Sequence, residues 1–157
     1  WVGRSRGLIA LGVVLVLALI PLGALPDDIR WNAGSGAGEG LYRVTSQEDL
    51  KSEYTLGAGE LTLDLRSLSW SDTVEVNASL GAGELTVLLP EGVPARASAE
   101  VAVGTIDMPG EQTIDGVDLN RTWLSNGEGD TGYLMDLTLS TGLGQVTVIR
   151  DTPEVSR

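Results

Sequence analysis

The sequence predicts an all-β domain of the β-solenoid class, single-stranded and β-helix-like. First, residues 56–63 read LGAGELTL and residues 80–87 read LGAGELTV, with looser copies at 101–108 and 141–148. Second, each copy joins two runs of alternating apolar and polar residues, the pattern of a half-buried strand. Third, the chain contains 21 glycines, as a chain with many corners requires. A phrase that recurs in this way favours repeated coils, and the alternative is a set of Gly-rich hairpin turns in an ordinary sandwich.

The phase of the apolar residues predicts a corner at each copy. Leu56 and Leu61 are an odd number of residues apart, as are Leu80 and Leu85. In a straight strand the two members of each pair would point to opposite faces. Glycines with positive φ can bend or bulge the strand and return both leucines to one core. We therefore assign a structural role to the corner glycines Gly57, Gly59, Gly81, Gly83, Gly104, Gly142 and Gly144.

The composition predicts an aliphatic core and excludes several kinds of site. Phe is absent and aromatic residues make up 4% of the 157 residues, so Leu, Val, Ile and Ala must fill the interior. The chain has no Cys and no His, which removes disulfides, thiolate metal sites and the commonest general base. The formal net charge is −12, and an acidic surface repels nucleic acid. We therefore expect neither catalysis nor nucleic-acid binding.

Residues 7–25 predict a transmembrane helix. They are uncharged and almost wholly apolar (GLIALGVVLVLALIPLGAL). As a helix they would reach about 28 Å, close to the hydrocarbon thickness of a bilayer. A secretory signal peptide is the alternative, but the apolar run is long and no good small-x-small cleavage site follows it.

The residues beside this span predict its orientation. Arg4 and Arg6 precede it, whereas Asp27 and Asp28 follow it. The positive-inside tendency places residues 1–6 in the cytoplasm and the C-terminal domain outside the cell membrane.

The rest of the chain divides into three segments. Residues 26–40 are acidic and Gly-rich, which predicts a flexible linker. We do not expect a nucleotide-binding loop there, because such a loop needs a buried strand before it and a helix after it. Residues 41–150 form the β domain, and residues 151–157 are expected to be a frayed tail. Within the domain, residues 45–50 could form a short helical turn. Residues 109–133 are rich in turn formers, which indicates a hairpin or a long loop.

Three sets of polar residues are weak candidates for chemistry. Residues 126–130 (NGEGD) resemble half of a calcium-binding nonapeptide, but a single copy leaves the oxygen shell incomplete. Asp64 and Asp107 fall on outward strand positions and could be neighbours, and we interpret them as surface charges. Asn77 and Asn120 begin N-glycosylation sequons, which matter only in a host that modifies them. We predict no catalytic residue, no metal and no cofactor.

Glu60, Glu84 and Gln145 recur just after the glycine corners. One interpretation is a stripe that binds a partner. The interpretation we favour is that these side chains satisfy backbone N–H groups freed by each bend.

The phrases GAGELTLDL, GAGELTVLLPEGV and GLGQVTVIR resemble the Toastrack domain of LiaF-like and actinobacterial phage-shock-protein-C-type envelope-stress proteins. The resemblance covers roughly residues 43–150, and the apolar span before them fits the same context. It implies a β-helix-like domain attached to one or more membrane helices. It also implies a role in sensing or signalling cell-envelope stress, including stress from wall-active antibiotics. No catalytic motif is carried over, only the corner glycines and the apolar positions beside them.

We therefore expect a membrane-anchored domain that acts by binding. Residues 7–25 would contact the lipid bilayer, and the resemblance implies a membrane protein partner, often a histidine kinase. The acidic surface could attract cationic peptides or a basic partner domain. The alternative is a structural accessory or self-assembling subunit, a homo-oligomer whose open solenoid end pairs edge to edge.

Overall fold

The structure is a computed structural model that describes residues 36–69, 71–125, 127 and 134–150. These residues contain one 3₁₀ turn, Gln47–Asp49, close to the predicted helical turn. Their strands are β1 (Ala37–Arg43), β2 (Glu53–Asp64), β3 (Val74–Leu89), β4 (Ala95–Asp107), β5 (Ile114–Ser125) and β6 (Met135–Arg150). The all-β prediction is confirmed for this part of the chain.

The predicted membrane span, residues 7–25, lies outside the described residues. Within those residues, no helix has the length and apolar character needed to cross a bilayer. The predicted tail, residues 151–157, also lies outside them.

All six strands form one sheet in the order β1-β2-β3-β6-β4-β5. The neighbouring strands are parallel except β4 and β5, which are antiparallel. Strands β1 to β3 stack in chain order, as the coils of a solenoid do. The last strand does not continue this order, because β6 lies between β3 and β4. Strands β4 and β5 form a hairpin with a turn at Gly110. The segment 109–133, expected to be a hairpin or a long loop, therefore contains the turn and the second strand of this hairpin but not its first strand.

The burial pattern changes phase in the middle of each long strand. In β3, Val76 and Leu80 are buried before the corner, and Leu85 and Val87 are buried after it. The same change separates Leu139 from Val146 in β6. Residues an odd number apart therefore line one core, as their spacing predicts.

Because the strands bend, short loops can join parallel strands, whether these are neighbours, as β2 and β3 are, or have β6 between them, as β3 and β4 do. Residues 65–73 lead from β2 to β3, and residues 90–94 lead from β3 to β4. A parallel pair in a straight sheet usually needs a crossover of about a dozen residues or more. Leu65 and Leu68 in the first of these loops are buried, so the loops help to close the core.

The core is almost entirely aliphatic, and aromatic residues lie near its two ends. Tyr54 on β2 is buried, and its ring centroid lies 5.0 Å from that of Tyr42 on β1 in an edge-on arrangement. At the opposite end, the ring of Trp123 on β5 packs against the guanidinium group of Arg150, 5.6 Å away. Each fully buried leucine contributes about 1.5–3 kcal/mol relative to an exposed one.

The folded domain begins earlier than the sequence analysis predicts. The linker was expected over residues 26–40 and the domain from Leu41, but the segment from Ala37 to Gly40 belongs to β1 and pairs with β2. Residues 36–39 read GAGE and are a further copy of the repeated phrase. The copy resembles a linker because β1 is an outer strand with mostly exposed side chains, so it lacks an apolar alternation.

Candidate partner-binding surface

Six glycines lie opposite one another across the whole sheet. In spatial order, this glycine row consists of Gly38, Gly59, Gly83, Gly144, Gly104 and Gly116. All six have φ between 126° and 150°, a range that L side chains disfavour. Four of the predicted corner glycines belong to the row.

The glycine row is packed too closely to hold side chains. A Cβ atom on Gly59 would lie 1.9 Å from the carbonyl oxygen of Gly38, and one on Gly104 would lie 1.7 Å from that of Gly144. The remaining predicted corner glycines form a second close contact. A Cβ atom on Gly81 would lie 2.3 Å from the oxygen of Gly57, and one on Gly142 would lie 2.6 Å from that of Gly81. These contacts fix the register between strands.

The fixed register also aligns one residue beside each glycine of the row. On the five parallel strands this is the residue directly after the glycine, and on the antiparallel β5 it is the residue directly before Gly116. In spatial order, this acidic row consists of Glu39, Glu60, Glu84, Gln145, Thr105 and Asp115. Neighbouring strands in a sheet are about 4.8 Å apart. The three glutamates therefore stand side by side on β1, β2 and β3, and all three are exposed. The structure brings together the three stripe residues singled out from the sequence.

The glutamates of the acidic row do not satisfy backbone N–H groups. Among the described residues, Glu60 and Glu84 make no side-chain hydrogen bond and no ion pair. The Gln145 amide Nε2 donates a hydrogen bond to Thr147 Oγ1 at 2.8 Å. The favoured interpretation was therefore wrong, and the reason is that strand pairing resumes on both sides of each corner.

Asp64 is buried, which corrects its interpretation as a surface charge. Its carboxylate accepts hydrogen bonds from Arg66 Nε and Nη2, both at 2.9 Å, and from Arg43 Nε at 3.3 Å. The side chain is 6% exposed because these two guanidinium groups cover it. The hydrogen bonds from Arg66 lower the pKa of Asp64 to about 2, although burial opposes them.

Asp64 and Asp107 are not neighbours. They lie on β2 and β4, and β3 and β6 separate those two strands. Asp107 accepts a hydrogen bond from Thr113 Oγ1 at 3.2 Å across the β4–β5 turn. The two carboxylates therefore cannot act together on one substrate.

The other weak candidates form no site in the described part of the chain. No group of three or more acidic, His or Cys residues there could hold a metal ion. Of the calcium candidate, 126–130, only Gly127 lies within the described residues. Asn77 and Asn120 are exposed on β3 and β5, and Asn77 Nδ2 donates a hydrogen bond to the Ser52 carbonyl at 3.4 Å.

Two acidic members of the acidic row, Glu39 and Asp115, were not predicted from the sequence. Glu39 carries a clear signal, since residues 36–39 repeat GAGE, but that segment resembles a linker. Asp115 carries none, because β5 runs antiparallel and presents its acid before Gly116 rather than after it. The order Asp-Gly is instead typical of a turn.

No family model matches the chain, and no curated protein matches it significantly. Among solved structures, it is similar to the crystal structure of a proposed cell adhesion protein from Clostridium sporogenes. The TM-score is 0.54 with 22% sequence identity, and the match covers 74% of this chain and 52% of the other. The chain therefore spans about half of that protein, and the similarity concerns the fold.

Proposed function

We propose that this chain is a non-enzymatic binding domain of a cell-envelope stress protein, anchored in the membrane and facing away from the cytoplasm. Its β-solenoid-like domain would modulate a membrane histidine kinase in response to wall-active antibiotics. The resemblance of three phrases to the Toastrack domain supports this proposal. So does the sheet, in which the repeated phrase aligns outward side chains on neighbouring strands.

The acidic row is the observation that carries the proposal. Three exposed carboxylates stand on adjacent strands, and like charges side by side are unfavourable unless a cation lies against them. A rigid sheet holds them without help from other side chains. Such a surface suits a basic partner segment or a cationic peptide.

Binding of a basic peptide tests the role of the acidic row. The probe is octalysine, and its binding to the full 157-residue chain in a nonionic detergent can be measured by calorimetry. The test variant replaces three row members, Glu39→Gln, Glu60→Gln and Glu84→Gln. The matched control replaces Glu53, Glu75 and Glu100, which are also exposed on the sheet, by Gln. We expect the row variant to lose at least tenfold in affinity and the control to lose less than threefold. Equal losses in both variants would show that net charge, not the row, attracts the probe.

The signalling role is tested in the host. The row variant should change the transcriptional response to a wall-active antibiotic, while the control variant should respond as the unmodified protein does. A response unchanged by deletion of the whole β domain would refute the role in stress signalling.

One observation favours the alternative, an accessory or self-assembling subunit. Among the described residues, the outer strands β1 and β5 each pair on one side only. Edge-to-edge assembly would appear as a mass that rises with protein concentration. A constant mass together with a specific kinase partner favours the signalling function.

A further inference from the structure

The outer edge of β1 repeats a feature that every inner strand uses for pairing. A Cβ atom on Gly59, Gly83, Gly144 or Gly104 would collide with the carbonyl group of the neighbouring row glycine on the side towards β1. Gly38 has the same backbone form, with φ +150°, yet none of the described atoms lies within 4 Å of its Cβ position. The position that receives a neighbour in four strands is therefore open in β1.

This geometry defines the strand that would fit. The carbonyl contacts run in one direction, from β4 through β6, β3 and β2 to β1, and all five strands are parallel. A strand that joins β1 in the same way must run parallel to it and place a carbonyl group over Gly38. Its own residue at that level must adopt the positive φ of the row, which requires glycine.

The described strands of a second copy do not offer such a strand. At the far end of the sheet, the antiparallel β5 reverses the pattern, and the Cβ position of Gly116 meets only Leu119 Cδ2, at 3.5 Å, among the described atoms. In the described part of the chain, neither outer glycine has a backbone carbonyl of a neighbouring strand at its Cβ position. Each carbonyl group of the row points away from β1, towards the next strand. The carbonyl group of Gly104 on β4 should therefore point towards β5, so it is not free to contact another chain. Among the described residues, therefore, no strand provides the complementary edge, and a different protein would have to supply it.

The residues beside Gly38 specify the chemistry of the added strand. Glu39 would stand next to the residue that follows the new glycine, and a basic residue there would pair with the carboxylate. Leu41 is 67% exposed on the same side of β1, so an apolar residue two positions further on would cover it.

We propose that the outer edge of β1 binds a parallel strand from a different protein. The strand has the order Gly, small residue, Gly, basic residue, any residue, apolar residue. This inference does not depend on the stress-signalling function, because it rests on the edge beside Gly38, and Glu39 is the one residue that the two proposals share.

The probe is a fluorescein-labelled peptide, GAGKGLYR, which has the sequence of residues 36–43 with Lys in place of Glu39. Its binding to the full chain in nonionic detergent is followed by fluorescence anisotropy. We expect it to bind at least tenfold more tightly than GAGEGLYR, than GAAKGLYR and than a scrambled peptide of the same composition. Equal binding of the scrambled peptide would overturn the proposal, since charge alone would then explain the affinity.

Two protein variants locate the binding edge. Glu39→Lys should reverse the preference, so that GAGEGLYR binds more tightly than GAGKGLYR. Gly38→Ala should abolish binding of both peptides, with folding checked by the urea midpoint. If Gly38→Ala unfolds the domain, the charge reversal still decides the question, because failure to reverse overturns the proposal. A doubled mass of the peptide-free chain, lost on Glu39→Lys, would show that a second copy covers the edge and would also overturn it.

Discussion

A Cβ atom on Gly83 would lie 1.8 Å from the carbonyl oxygen of Gly59 on the neighbouring strand. No side chain fits at that distance, and the φ of +133° at Gly83 is itself unfavourable for L residues. The same contact recurs along the glycine row, so each strand bends at the same level as its neighbour. Bending at one level lets both halves of the inner strands β2, β3, β4 and β6 share one aliphatic core.

Replacement of Gly83 by Ala should therefore unfold the domain or destabilise it by about 4 kcal/mol or more, because a backbone clash adds to a strained φ. Gly36→Ala is the matched control. None of the described atoms lies within 4 Å of its Cβ position, and its stability should change by about 0.5 kcal/mol or less. Urea denaturation followed by circular dichroism measures both variants. Equal stabilities would contradict the structural role of the row.

The Asp64–Arg66 pair predicts a loss of stability in acid. The pKa of Asp64 is lowered from 3.8 to about 2 in the folded state, mainly by hydrogen bonds from Arg66. A depressed folded pKa stabilises the fold above the unfolded value, and that contribution is lost as the pH falls from about 4 through about 2. At neutral pH it amounts to about 2 kcal/mol.

Asp64→Asn tests this prediction. At pH 7 the variant should be less stable than the unmodified chain by about 2 kcal/mol, and the difference should shrink as the pH approaches 2. Arg43→Ala should have a smaller effect than Arg66→Ala, since Arg43 is 66% exposed and makes one longer hydrogen bond. A gap between Asp64→Asn and the unmodified chain that stays constant from pH 7 to pH 2 would rule out this linkage.

Thr141 predicts a stabilising substitution in the core. The residue is 3% exposed, and its Oγ1 has no hydrogen-bond partner among the described residues. A buried hydroxyl without a partner carries a desolvation penalty of about 1–3 kcal/mol. Thr141→Val keeps the shape and removes the hydroxyl, so the free energy of unfolding should rise by about 1 kcal/mol.

Thr138→Val is the control for this substitution. Thr138 lies on the same strand but is exposed, so its replacement should change stability by about 0.5 kcal/mol or less. Thermal denaturation compares the two variants. A destabilised Thr141→Val variant would mean that the hydroxyl is satisfied in solution.

Much of the fold could be predicted from the sequence because residues close together in the chain identify each corner. The odd spacing of Leu80 and Leu85 requires a change of phase, and the glycines between them allow it. The spatial order of the strands carries no such signal. The spacing of Gly83, Gly104 and Gly144 is compatible with coils in chain order, yet β6 lies between β3 and β4.

The candidate surface was only partly predictable, for two physical reasons. An outer strand has little core to face, so β1 lacks the alternation that identifies β2 and β3. Asp64 has the phase of an outward residue, and its burial depends on Arg43, which is distant in sequence and reaches it only once β1 pairs with β2. Contacts of this kind depend on strand register and cannot be derived from local spacing.

The acidic row predicts a salt-dependent gain in stability. Glu60 stands between Glu39 and Glu84, and none of the three has an ion-pair partner among the described residues. Like charges directly opposite on neighbouring strands destabilise a sheet by about 0.2–1 kcal/mol per pair. Glu60→Gln removes two such contacts, so at low ionic strength the fold should gain about 0.5–1 kcal/mol.

Glu100→Gln is the matched control, because Glu100 stands opposite the neutral residues Ser140 and Asn120. Its stability should remain close to that of the unmodified chain. Urea denaturation at 10 mM and at 500 mM NaCl separates the two cases. Interactions between exposed charges are largely screened beyond about 10 Å at 0.1 M ionic strength, and beyond a shorter distance at higher ionic strength. The gain from Glu60→Gln should fall at high salt. A gain that is independent of salt would assign the effect to packing instead of to repulsion between the carboxylates.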